Sequence, residues 1–207
     1  SKKMLWPNFS FEKRLRRQGF LQIAGIDEVG RGSWAGPLVA AGVVLPENFI
    51  IPKGFSESKS VNPTQRAKFA FLIMQKAVCV SLAEVSPFVI DEIGISKATN
   101  KAFRLVAKKL EPQADFFLLD AFYIKHFSKK KQLALVKGDM KSVSIAAASI
   151  VAKVYRDALM VKLSRTYPKY GFGKHKGYGT RLHQDAIRAY GFCEIHRTSY
   201  NLNHWVS

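Results

Sequence analysis

Two adjacent carboxylates, Asp27 and Glu28, close an apolar stretch and are followed at once by Gly30-Arg31-Gly32. Burying unpaired charge is costly, so an acidic pair at the end of such a stretch calls for a counter-charge. A divalent cation meets that need, because hard cations prefer oxygen ligands. The glycines let backbone N–H groups approach a ligand closely, and Arg31 adds one fixed positive charge. Two further acids occupy comparable positions: Asp120 ends the apolar run 116–119, and Asp139 follows the run 133–136 and precedes a long helical stretch. A carboxylate set with no histidine or cysteine points to Mg²⁺ or Mn²⁺ rather than zinc. Two such ions suit metal-assisted phosphodiester hydrolysis. Each distant acid also has a plainer reading, Asp139 as the cap of the following helix and Asp120 as a turn residue.

A sheet is what must bring these acids together. Apolar runs bounded by glycine, proline or polar clusters predict strands over 21–28, 38–45, 78–85, 115–120 and 132–136. Helical spacing predicts helices over 11–18, 63–76, 97–110, 142–164 and 180–190. Strands in succession, then strands alternating with helices, give an α/β domain with a mixed sheet covered on both faces. Site residues emerge at strand ends in such sheets, which is where Asp27, Glu28 and Asp120 fall. Successive strand side chains point to opposite faces, so Glu28 shares a site with Asp27 only if the backbone bends, which Gly30 permits. Ser149, Lys153 and Asp157 form a polar stripe on the long helix; either the stripe faces the site, or Lys153 and Asp157 simply pair at i,i+4. Asp91 and Glu92 read as solvated residues of a helical turn. Residues 1–166 are expected to form the catalytic domain, with a basic helix inside 1–20. Residues 167–207 are expected to form a small appendage, loop-like over 167–179, where glycines mix with aromatic and basic residues, and helical after it.

The whole chain narrows the partner. Among 207 residues, 33 Lys and Arg stand against 15 Asp and Glu, a formal charge of +18. That excess favours a polyanion, nucleic acid first. No apolar run approaches the roughly 18–20 residues of a membrane span, and no secretory signal is evident. Cys79 and Cys193 have neither disulfide-framework nor metal-ligand spacing and read as free thiols of a reducing cytoplasm. A monomer without an obligate protein partner is expected. A non-catalytic nucleic-acid-binding protein would explain the charge but not the acids, and a metal-dependent DNA nuclease would explain both.

The run Gly25-Ile26-Asp27-Glu28-Val29-Gly30-Arg31-Gly32 resembles the signature of type 2 ribonuclease H, the ribonuclease HII family. The resemblance extends to Leu118-Leu119-Asp120, to Lys137-Gly138-Asp139 with the segment 144–153 behind it, and to Gly177-Tyr178-Gly179-Thr180 and Ile195-His196-Arg197. It implies a ribonuclease H-like fold. It implies endonucleolytic cleavage of the RNA strand of RNA–DNA hybrids, and incision on the 5′ side of single ribonucleotides in duplex DNA. Asp27, Glu28, Asp120 and Asp139 take the family's catalytic metal positions, holding two Mg²⁺ or Mn²⁺ ions. Gly30, Arg31 and Gly32 take the loop that senses the ribose 2′-OH, the group that separates RNA from DNA. Tyr178, otherwise an ordinary loop aromatic, takes the tyrosine that packs on the sugar at the RNA–DNA junction. Lys153, Lys174 and Lys176 are expected to hold phosphates, and Arg181 also flanks the Gly-Tyr-Gly. The family's Asp-Ser-Lys appears here as Glu57-Ser58-Lys59, which leaves a phosphate contact for Lys59. Its glycine after the third acid appears as Ala121-Phe122. The segment before Gly25 is short for the N-terminal domain of type 3 enzymes.

Overall fold

Apolar alternation with a period of two splits the central strands between two cores. In a computed structural model, which describes residues 6–55 and 62–206, β1 (Ile23–Val29), β2 (Leu38–Val44) and β3 (Cys79–Val85) pair as an antiparallel meander. β4 (Phe116–Asp120) and β5 (Gln132–Leu135) join in parallel on the other side of β1, so the order is β3-β2-β1-β4-β5. This is the mixed five-stranded sheet the sequence predicts.

On one face, Ala24, Ile26, Leu38, Ala40 and Val44 pack with Phe103, Val106 and Leu110 of α4 (Ile95–Leu110), which follows the short α3 (Pro87–Ile93). The intervening residues Val39, Ala41 and Val43 point the other way, against Phe69 and Ile73 of α2 (Pro63–Lys76) and Ala147 and Ala148 of α5 (Val143–Thr166). α1 (Ser10–Arg17) closes the β4 side through Leu15, packed with Ile23, Phe116, Leu118 and Ile145. The C-terminal segment holds α6 (Phe172–His175), α7 (Arg181–Tyr190) and α8 (Asn203–Val206), and its cluster of Tyr170, Phe172 and Ala186 sits on Met160 of α5 and on Ala35. Segment 167–179, expected as loop, therefore contains α6 and a 3₁₀ turn over Pro168–Tyr170.

Two local details aim α5 at the site. Its N-cap is Ser142, whose Oγ accepts from the Ile145 N–H, and buried Glu12 of α1 accepts from Ser142 Oγ at 2.7 Å and from the Ser144 N–H at 3.0 Å. Asp139 is therefore not the cap of this helix. The helix crosses β1 at Gly25, where a Cβ would collide with the backbone of Ser144 and Ile145. From that crossing, two strand residues advance roughly 6.8 Å and four to five helical residues roughly 6–7.5 Å. Ser149 thus comes level with Asp27.

Candidate active site

Carboxylate oxygens of Asp27, Glu28 and Asp120 lie within 4.8 Å of one another at the C-terminal ends of β1 and β4. The register explains the meeting: Ile26 pairs with Leu119, so the next residues, Asp27 and Asp120, stand side by side. Glu28 joins them without the backbone bend expected from the alternation. It keeps its regular register opposite Ala40, while Asp27 folds back so that its Oδ1 accepts from the Glu28 N–H at 2.7 Å. Asp120 is fixed by the Gly138 N–H, which donates to its Oδ1 at 2.6 Å. Asp139, the residue after Gly138, is buried on the 3₁₀ turn Gly138–Met140. Among the described residues it does not join the 4.8 Å cluster.

Such crowding is costly in the absence of a cation. Burial, then the charges of Glu28 and Asp120, push the Asp27 carboxyl well above its ordinary range, with Ser149 and the Glu28 N–H opposing. Burial and the Asp120 charge raise Glu28 to about 7, with Arg31 opposing. Glu28 Oε2 is buried and has no hydrogen-bond partner among the described residues. Three converging carboxylates, one with an orphaned buried oxygen, fit a hard divalent cation. The cleft above them, about 320 Å³, is also lined by Gly30, Arg66, Ser149, Lys153 and Tyr178.

Loop 30–37 is held by two buried guanidiniums. Arg197 donates to the carbonyls of Gly30 at 2.6 Å, Arg31 at 3.1 Å and Gly36 at 2.8 Å. Arg156 donates to Pro37 at 2.8 Å, Ala35 at 3.0 Å and, across the gap, to the Lys176 carbonyl at 2.8 Å. Burial lowers Arg156 to about 10, still charged at neutral pH. Gly30 has φ +92°, and a Cβ there would strike the Arg156 guanidinium, so glycine is required on both counts. The Arg31 side chain turns toward the acids, 3.9 Å from Glu28, and lies over the Phe122 ring at 4.4 Å.

Tyr178 reaches the cleft from the opposite side, with Lys153 and Arg156 over its ring at 6.0 and 5.6 Å. Three buried histidines stand behind it. The His183 Nδ1–H donates to the Tyr178 carbonyl at 3.0 Å, so its Nε2 accepts from His196 Nε2–H at 3.0 Å, and His196 Nδ1 in turn accepts from the Cys193 N–H at 2.9 Å. His175 stacks on His183 at 4.4 Å, donates from Nε2 to the Tyr170 carbonyl and accepts the Gly177 N–H at Nδ1. Each ring is thereby fixed in one neutral tautomer.

Of the remaining expected site residues, Lys153 lines the cleft and pairs with Asp157 at 2.7 Å, whereas Asp157 lines the adjoining groove with Lys174 and Lys176. Gly32 is exposed in the loop, and Lys59 lies outside the described residues. Asp91, expected as a solvated acid, is half-buried and accepts from the N–H and hydroxyl of both Thr198 and Ser199, at 2.6–3.0 Å, pinning the C-terminal segment to α3. Partial burial raises its carboxyl, and these four bonds outweigh that and leave it below its ordinary range. Arg66, Arg156, His175 and His183 carried no signal in sequence, and His196 entered only through the Ile195-His196-Arg197 motif. Both cysteines are free, and among the described residues no helix is long and apolar enough to cross a membrane.

A mixed sheet with a carboxylate cluster at the ends of two adjacent parallel strands, on a strongly basic chain, defines a metal-dependent nuclease site. A sequence model of ribonuclease HII matches residues 24–203. Ribonuclease HII of Bacillus cytotoxicus is 47% identical over 190 residues, 92% of this chain and 72% of that protein; the Acetivibrio thermocellus enzyme is 46% identical over 193 residues, 93% and 75%. Among solved structures, ribonuclease H2 of Pyrococcus horikoshii superposes with a TM-score of 0.71 at 26% identity, covering 89% of this chain and 98% of that one. The Archaeoglobus fulgidus RNase HII, solved with PCNA, gives 0.73 at 24% identity, covering 86% and 93%. Bst-RNase HIII in complex with Mn²⁺ gives 0.65 at 21% identity, covering 83% and 63%. The fold is ribonuclease H-like, and the chain belongs to the ribonuclease HII family. It is a ribonuclease H, a hydrolase of the RNA in RNA–DNA hybrids, in a metal-dependent family.

Proposed function

We propose that this chain, beyond cutting the RNA strand of hybrids, incises duplex DNA on the 5′ side of single embedded ribonucleotides and leaves 5′-phosphate and 3′-hydroxyl ends. The observation that supports this is the meeting of Asp27, Glu28 and Asp120 in one cleft whose walls also include Gly30 and Tyr178, the residues proposed to read the sugars. Asp27, Glu28 and Asp120 would hold two Mg²⁺ or Mn²⁺ ions, with Asp139 as the fourth acid. When bound, such ions supply Lewis-acid stabilisation of the phosphoryl oxygens and lower the pKa of the attacking water.

The chain's own residues do the rest. Gly30 and Gly32 let the loop backbone come close to a ribose in the minor groove, where the 2′-OH is both donor and acceptor. Tyr178 packs against the adjoining sugar and fixes the scissile phosphate over the acids. Lys153, Lys174 and Lys176 hold flanking phosphates, a contribution that weakens steeply with salt; Lys59 is proposed for the same work. Residues 167–207 act as the substrate-binding appendage, and the protein works as a cytoplasmic monomer. The test compares a duplex carrying one ribonucleotide with an all-DNA duplex, in Mg²⁺ and in Mn²⁺. Cutting of the first alone is expected, and equal cutting of both would sink the reading. Asp27→Asn should lower cleavage by roughly a thousandfold or more, because several kcal/mol of charge stabilisation are lost, while duplex binding persists.

A further inference from the structure

A second basic groove opens where the acids end. It begins at Arg31 and at Ala121, the residue after Asp120, and runs between the start of α4 and the segment joining β4 to β5. Its volume is about 600 Å³, and Arg31, Lys97, Lys125 and His126 face it, together with Phe122 and Tyr123. No carboxylate lines it among the described residues. Lys97 and Lys125 are exposed and, among the described residues, form no ion pair or side-chain hydrogen bond. Phe122 and Tyr123 keep 39% and 52% of their surface in solvent.

An irregular segment with two exposed aromatic rings would ordinarily sample many conformations. This one is tied down at four carbonyls and two N–H groups. Buried Gln132 accepts from the Ile124 N–H at 2.8 Å and donates to the carbonyls of Ile124 and Phe127 at 3.1 and 3.2 Å. From α4, Asn100 donates to the Tyr123 carbonyl at 2.9 Å and accepts from the Lys125 N–H at 3.3 Å, and Arg104 donates to the His126 carbonyl at 3.0 Å. The fold thus commits one buried amide, Gln132, and two half-buried side chains, Asn100 and Arg104, to holding an exposed, cationic, aromatic surface in one shape. That is the preorganisation a binding surface needs, since it removes ordering cost from association.

We propose that this groove is a nucleic-acid backbone subsite: Lys97 and Lys125 take phosphates of the duplex beyond the scissile bond, and the Phe122 and Tyr123 rings meet a sugar or base face. The occupant follows from charge complementarity and from continuity, since Arg31 belongs at once to the groove and to the loop beside Glu28. The inference rests on the function proposed above and adds a place for the strand that continues past the acids. Phe122 gains a second role, because its ring supports the Arg31 guanidinium at 4.4 Å.

The experiment uses full-length Asp27→Asn protein and a fluorescein-labelled duplex with one ribonucleotide, with binding followed by anisotropy across NaCl concentrations. Each phosphate contact contributes roughly 0.9 to the slope of log K against log [salt]. Adding Lys97→Ala and Lys125→Ala should therefore reduce the slope by about 1.8. A control pair of equal charge, Lys53→Ala and Lys76→Ala, exposed and outside the lining of both the groove and the acidic cleft, should leave the slope nearly unchanged. A groove variant that behaves like the control overturns the proposal. Failure of the unsubstituted protein to cut the ribonucleotide duplex would instead count against the proposed function, and the binding data would still read the groove.

Discussion

Replacing Glu28 by Gln should remove activity and make the protein more stable, most of all where no divalent cation is bound. Glu28 is raised from an ordinary 4.5 to about 7 by burial and by Asp120. A carboxyl whose folded pKa is raised stabilises the fold below its unfolded pKa, and that contribution is lost as pH climbs through the folded value. The window is therefore about pH 4.5 to 7. At 1.36 kcal/mol per unit, ionised Glu28 costs the cation-free fold about 3 kcal/mol at pH 8. Glutamine is nearly isosteric with the protonated acid and never ionises. Urea unfolding in EDTA should show Glu28→Gln up to about 3 kcal/mol more stable than the parent at pH 8 and equal to it near pH 4.5. Saturating Mg²⁺ should narrow the gap, because a ligand at 100 times its Kd stabilises the parent by about 2.7 kcal/mol and the variant, one anionic oxygen pair poorer, by less. A variant less stable than the parent at pH 8 in EDTA, or a gap that ignores pH, would refute the reasoning.

The histidine array titrates with the opposite sign. Burial foremost lowers His183 to about 3 and His196 to about 4 from an ordinary 6.5, so the unfolded chain takes up protons that the fold refuses, and stability falls as pH drops below about 6.5. At pH 5 each ring costs about 2 kcal/mol; urea unfolding of the Asp27→Asn/Glu28→Gln double variant, which lacks the opposing carboxylates, should show the loss between pH 7.5 and 5, and imidazole NMR signals titrating near 6.5 would contradict it. Ala121, at φ +57°, sits in the left-handed region that favours glycine, so Ala121→Gly should raise the thermal midpoint by relieving about 1 kcal/mol of backbone strain, checked by calorimetry; a lower midpoint would show that Ala121 is unstrained.

The sheet was legible because its strands are uninterrupted apolar runs with clear punctuation, and the acids because each closes one of them. The union of Glu28 with Asp27 was legible as a need but not as a geometry: the Asp27 carboxylate bends back on its own strand, a rotamer choice no spacing encodes. Asp139 and Ser142 both stand before α5, and sequence could not decide which caps it until Ser142 Oγ was seen on the Ile145 N–H. Asp91 looked solvated because its partners, Thr198 and Ser199, lie more than a hundred residues away. Arg156 stood unmarked in the sequence, yet it is fully buried and satisfied almost wholly by backbone carbonyls, which have no sequence signature. Ala121 hid a left-handed turn behind a residue that does not announce one.

The paired guanidiniums carry one more consequence. The loop that would read the ribose hydroxyl and the loop that carries Tyr178 hang from the same Arg156, which grips Ala35 and Pro37 with one hand and Lys176 with the other. One buried side chain thus sets the spacing between the two loops. Under the proposed function, a duplex would meet both loops at a spacing set by one side chain, and the stiffness of the substrate would then count alongside the contacts the protein makes.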